Sequence, residues 1–273
     1  MLSLTTDYQT GIGNPQPYLR RIAEHGFSHV HWCHQWNTDF LYAEPEIAAI
    51  ESWMREYHLG LTDVHASHGI EKNWISSLEY ERLAGLELVI NRMQFASRLG
   101  SDVIILHLPS APQDLAIVQA YWDLTRRTLD ALQPESRRYG VRIALENLDP
   151  GHLTTVAQVF KLYGPEYIGL CYDSGHGNLA GDGLDWLEKM GDRLIALHLH
   201  DNNGVWDEHK LPFTGSIDWE RLTRALARST YSKWISMELS QGRTGVEDED
   251  EFLFRAFNAG ARLHNMVERY RTS

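Results

Sequence analysis

Along the 273 residues of this chain, short apolar runs rich in β-branched residues alternate eight times with longer stretches of helical period. That alternation is restrictive. Strands separated by helices cannot form hairpins with one another, so they pair as a parallel sheet covered by those helices. The strand runs are residues 2–7, 28–34, 59–66, 102–108, 141–147, 167–173, 194–200 and 233–239. Between them, segments such as EPEIAAIESWMREYH place Ile47, Ile50, Trp53, Met54 and Tyr57 on a period of about 3.6 residues. Gly26, Gly60, Gly100, Gly140 and Gly164 each fall where a helix should end and a strand begin, the place of a C-terminal cap. Eight such units in about 250 residues fit one closed barrel, and no low-complexity linker divides the chain. The expected fold is α/β, a single (β/α)8 TIM barrel domain over residues 1–273.

Composition narrows the setting. Hydrophobic residues make up 43% of the chain, enough for one large core, and no run approaches the roughly 18 apolar residues of a membrane span. The start, MLSLTTDYQT, lacks the basic and apolar regions of a signal peptide, so a cytoplasmic location is expected. Cys33 and Cys171 are the only cysteines and form no C-x-x-C pair, which argues for reduced, structural thiols. A net charge of −12 opposes attraction to nucleic acid or an anionic membrane.

In such a barrel the chemistry sits where strands end at the C-terminal face, and there the apolar pattern breaks at His65, His107, Glu146, Asp173, His198 and Glu238. In ALE, CYD, ALH and SME a small residue lies two before the polar one and a large residue just before it. Alternation then puts Ala144, Cys171, Ala196 and Ser236 on the face of Glu146, Asp173, His198 and Glu238, with Leu145, Tyr172, Leu197 and Met237 on the other. The larger side chains suit the helix-facing side, so the four polar groups should converge inside the mouth. Three carboxylates crowded together repel and pay for desolvation unless a cation joins them. This donor set suits Mn2+ or Mg2+, and its imidazole also admits Zn2+ or Co2+.

Other polar residues flank this group. His65 and His107 could bind the same ion, a neighbouring one or the substrate. His176, in DSGHG, could reach the same mouth, while Asp207 and His209 either join a site or decorate a solvated loop. His200 and Asp201 are expected to support the ligands from behind. Trp32, Trp36, Trp74 and Trp206 could stack on a sugar's apolar face or pack in the core.

At these residues the chain resembles the xylose isomerase-like barrel superfamily, which joins sugar isomerases and epimerases to endonuclease IV-type enzymes. The resemblance spans nearly the whole length and is carried by ALEN (Glu146), YDSGH (Asp173, His176), ALHLHD (His198) and SMEL (Glu238). It implies that Glu146, Asp173, His198 and Glu238 hold one divalent metal and that Glu146 and Glu238 also move the substrate proton. The endonuclease branch implies three zinc ions, held by these positions together with His65, His107, His176, Asp207 and His209. Two departures from the ketose 3-epimerases stand out. An acidic residue of that group is His152 here, and an arginine that follows their metal histidine is missing from HDNNGVW.

The expected function is a divalent-metal-dependent sugar or sugar-phosphate isomerase or epimerase working through an enediolate. A lyase or dehydratase would share its first proton abstraction, and a non-catalytic sugar-binding barrel would not need two acids on a metal. An endonuclease IV-like phosphodiesterase acting on abasic DNA is the alternative. Against it stand five consecutive acids in VEDEDE (246–251), a rim expected to repel a polyanion, and the absence of a basic stripe: Arg20–Arg21, Arg126–Arg127 and Arg137–Arg138 fall in helices and read as scattered solvated faces. The expected partner is therefore a small sugar or sugar phosphate, with a homo-oligomer left open.

Overall fold

The computed structural model describes residues 1–66 and 69–272. Eight strands form one parallel sheet: β1 (Leu2–Thr5), β2 (His29–Trp32), β3 (Gly60–His65), β4 (Val103–Leu106), β5 (Arg142–Glu146), β6 (Ile168–Asp173), β7 (Leu194–His198) and β8 (Ile235–Met237). They pair in chain order, and β8 returns to pair with β1. The remaining seam, between β7 and β8, is closed just above β7. There Leu199 N–H donates to Ser236 O at 3.1 Å and Glu238 N–H donates to Leu199 O at 3.2 Å. The sheet is thus a TIM barrel.

The connecting helices are α1 (Gln16–Glu24), α2 (Glu44–Glu56), α3 (Glu79–Arg98), α4 (Leu115–Tyr139), α5 (His152–Leu162), α6 (Ser174–Ala180), α7 (Gly183–Lys189), α8 (Trp219–Arg228), α9 (Gln241–Thr244) and α10 (Glu249–Arg271). Their apolar faces cover the outside of the barrel. On α2, Ile47, Ile50 and Met54 are buried as the periodicity requires, each such side chain contributing about 1.5–3 kcal/mol of burial.

The small-and-large register of the strand ends is visible as two separate clusters. Leu145, Tyr172, Leu197 and Met237 belong to the main core between sheet and helices. Val103, Ile105, Ala144, Cys171, Ile195 and Ala196 form a small second cluster. The small residues of that cluster leave room above them for the polar strand ends.

Three of the five expected glycine caps behave as such: Gly26, Gly100 and Gly140 have φ of 88°, 84° and 65°, values that cost glycine little. Gly60 and Gly164 do not. Gly60 opens β3 where the His29 ring presses against its Cα, leaving no room for a Cβ, and the left-handed residue there is His58. At Gly164 the close neighbour is the Glu166 carboxylate. No helix among the described residues is long and apolar enough to cross a membrane.

Candidate metal centre at the barrel mouth

Glu146 and Asp173 are the last residues of β5 and β6, His198 ends β7, and Glu238 follows β8 by one residue. In the sheet Asp173 pairs with His198 in register. Donor atoms of all four lie within 4.8 Å of one another, close to the span of ligands held at about 2.0–2.2 Å from a common ion. His198 Nδ1 lies 3.1 Å from Glu146 Oε2, 3.1 Å from Glu238 Oε2 and 4.0 Å from Asp173 Oδ2. Even so, neither ring nitrogen of the fully buried His198 is aligned with a hydrogen-bond partner. An Nδ1 that faces carboxylates without an aligned hydrogen bond to them suits a cation placed between those groups.

The electrostatics agree with that fit. Burial would raise the carboxyl pKa values of Glu146 and Glu238, but the nearby histidines, His198 foremost, hold both well below the usual range. Burial would lower His198, yet Cys171, Glu238 and Glu146 push it well up. The carboxylates therefore demand a positive charge at this point, and a proton on His198 or a metal ion meets the same demand.

Two further clusters adjoin the first. His65 Nε2 and His107 Nε2 are 3.1 Å apart and lie 3.6 and 3.1 Å from Glu146 Oε2. His65 Nδ1 is buried without a partner, and burial lowers the His65 pKa to about 4, the neutral form a ligand needs. On the other flank, His209 Nε2–H donates to Asp207 Oδ2 at 2.7 Å while its Nδ1–H donates to Glu238 O at 3.1 Å. Burial opposes a charge on His209, but Asp207 and Glu238 raise its pKa to about 9. His176 donates from Nδ1 to Asn147 O at 2.9 Å and turns Nε2 toward Asp207, 3.7 Å away. All nine residues singled out in the sequence thus line one continuous mouth.

The SGHG turn has a steric reason. Asp173 caps α6 by accepting from His176 N–H at 2.7 Å, while Gly175 and Gly177 leave space for the His200 ring and the Tyr172 hydroxyl. His200 Nε2 then donates to both Asp173 oxygens at 3.1 Å, the supporting role expected of it, and stacks on His209 at 4.1 Å. Asp201 supports the loop, accepting from Trp219 Nε1–H at 2.8 Å.

The structure decides between the roles left open for the tryptophans. Trp32 and Trp74 are fully buried and cannot meet a sugar. Trp32 donates to the Tyr42 hydroxyl and packs on Phe95. Trp36 does sit at the mouth, with ring centroids 4.5 Å from His65 and 5.6 Å from His107, and Trp206 is half exposed beneath Arg243. His152 is turned away from any substrate: its Nε2–H donates to Leu108 O and its Nδ1 accepts from Leu148 N–H. The acidic rim is largely satisfied. Asp248 caps α10, Arg21 pairs with Glu249 and Asp250, and Arg255 pairs with Glu251, so its repulsion of a polyanion is weaker than its composition suggests.

Sequence reasoning missed His31, Asp63 and Asp7. His31 and Asp63 lie inside the barrel under Glu238, and burial, with Glu238 next, raises the Asp7 carboxyl pKa. The signal was present in the alternation of His29, His31 and Cys33 on one run and of Asp63 and His65 on the next, with His31 and Asp63 inside their strands rather than at the ends.

The profile of the xylose isomerase-like TIM barrel family matches residues 19–256. An uncharacterised protein, y4fM of Sinorhizobium fredii, is 32% identical over 95% of this chain and 91% of its own. A probable endonuclease 4 of Mycobacterium ulcerans is 26% identical over 72% of this chain and 79% of its own. Among solved structures, a D-tagatose 3-epimerase-like protein superposes with a TM-score of 0.80 at 22% identity, covering 99% of this chain and 98% of that one. A D-psicose 3-epimerase studied in the presence of D-fructose gives 0.78 at 19% identity over 97% and 99%. The match along most of the length, together with the y4fM likeness, decides the family: this chain belongs to the xylose isomerase-like TIM barrels.

Proposed function

We propose that this protein is a divalent-metal-dependent isomerase or epimerase of a sugar or sugar phosphate, with Glu146 and Glu238 as its proton-transfer pair. The observation that carries the reading is their placement: arriving from β5 and β8, the two carboxylates each bring an Oε2 to 3.1 Å from the same His198 nitrogen. A substrate carbon bearing an acidic C–H beside a carbonyl can lose its proton to one glutamate and regain one from the other, general acid–base work worth about 10²–10⁴-fold. Glu146, Asp173, His198 and Glu238 would hold the cation, which supplies charge stabilisation for the oxyanion that develops as the proton leaves. Their oxygen-rich set suits Mn2+ or Mg2+, with Zn2+ or Co2+ also compatible. Trp36 offers a flat wall at the mouth for the sugar's apolar face. The similarity to epimerase structures supports a sugar as substrate.

The test is deuterium wash-in from solvent across a panel of ketoses and ketose phosphates. Wild-type protein should incorporate deuterium next to the carbonyl of the sugar it accepts. Glu146→Gln and Glu238→Gln should each fold normally and lose about 100-fold or more of that exchange. Unchanged exchange in both variants would place the base elsewhere.

A second reading is favoured by one observation, the pair of flanking clusters at His65–His107 and His176–Asp207–His209, and by the endonuclease 4 relative. It makes the protein a multi-metal phosphodiesterase. Incision of abasic duplex DNA, abolished by Asp207→Ala with His209→Ala, would establish it over sugar chemistry.

A further inference from the structure

Beneath Glu238 lies a buried polar chain that the proposed reaction does not use. His31 and Asp63 are completely buried, and His31 Nδ1–H donates to Asp63 Oδ1 at 2.5 Å. That bond fixes the ring so that Nε2 faces the centre, 2.8 Å from Cys33 Sγ and 3.9 Å from Glu238 Oε1. Cys33 Sγ itself lies 3.5 Å from the same Oε1. Glu238 Oε1 therefore accepts from Cys33, with His31 Nε2 packed behind that thiol, while Oε2 faces His198.

The backbone is built to make this pair. Between β2 and β3 the register runs Val30 with Leu61 and then jumps to His31 with Asp63, a bulge that skips Thr62. Without that shift His31 would stand beside Thr62. Bulges of this kind re-aim side chains next to active sites. A fully buried His–Asp pair adds little net stability over an apolar pair of the same volume, so packing alone does not call for it.

We infer that Asp63 and His31 are positioning residues for Glu238: Asp63 fixes the His31 ring, and His31 with Cys33 fixes Glu238 Oε1 so that Oε2 is presented to the cation site. The inference rests on Glu238 being a metal ligand, as proposed above. Supporting groups behind a ligand typically change metal affinity by about 10–100-fold, and a double-mutant cycle shows whether that effect passes through the ligand.

The experiment is calorimetric titration with Mn2+ of the wild type, Asp63→Asn, His31→Gln, Glu238→Ala, and each positioning variant combined with Glu238→Ala. Each positioning variant alone should weaken the tightest Mn2+ site about tenfold. In the Glu238→Ala background the same substitution should change the Kd by less than about twofold, because the residue it acts through is gone. Equal losses in both backgrounds, or no loss in the single variants, overturn the inference while leaving Glu238 a ligand. Undiminished Mn2+ binding by Glu238→Ala itself removes Glu238 from the site and overturns the inference together with its ligand assignment. Should Asp63→Asn not fold, judged by thermal unfolding, the His31→Gln cycle decides alone.

Discussion

His198 is the residue on which the centre turns, because it is fully buried, faces three carboxylates and has neither ring nitrogen in an aligned hydrogen bond. Removing it, or removing Asp173, would take away one proposed ligand and leave the remaining acids to repel one another. The wild type is expected to carry one or more ions per chain, and His198→Ala and Asp173→Ala to lose most of that metal, as read by elemental analysis after dialysis. Full occupancy in both variants would contradict the site. Asp207→Ala with His209→Ala should leave that main ion in place, since neither residue belongs to the group of four donors. Loss of all metal from the double variant would show that the two clusters bind as one.

Helix α3 shows how far an element can depart from its own propensities. Gly85 sits in the interior of this 20-residue helix, where replacing glycine by alanine normally gains about 1 kcal/mol. Here a Cβ would strike the backbone of Asn73 and Trp74, which cannot move aside as a side chain can. Gly85→Ala should destabilise the protein by about 1–3 kcal/mol, seen as a lower Tm with unchanged helical signal. A raised Tm would show that the loop yields.

The same elements show what the sequence makes legible. The strands and the convergence of four polar strand ends could be read because a period of two assigns each residue a face, and the small residues at Ala144, Cys171, Ala196 and Ser236 mark the inner one. His31 and Asp63 escaped because their pairing depends on a register shift between strands, which no single run records. Trp32 and Trp74 were open to a site role because an aromatic near a strand end reads the same whether it turns toward helices or mouth. Gly60 and Gly164 looked like caps because sequence position does not distinguish a positive φ from a close approach.

At the scale of the whole molecule, charge and topology point the same way. The barrel gathers Glu146, Asp173 and Glu238 at one face while the chain carries −12 overall, a field that favours cations over polyanions. Duplex DNA should consequently bind weakly if at all near physiological salt, and strong binding that falls steeply as salt rises would favour the phosphodiesterase reading. Glu146, Asp173, His198 and Glu238 are proposed to share one divalent ion. An anomalous difference map from crystals grown with Mn2+ tests this most directly. A strong peak is expected within about 2.0–2.3 Å of one donor atom from each of these four residues. A map with no peak there, or with peaks only among His65, His107, His176, Asp207 and His209, would contradict it.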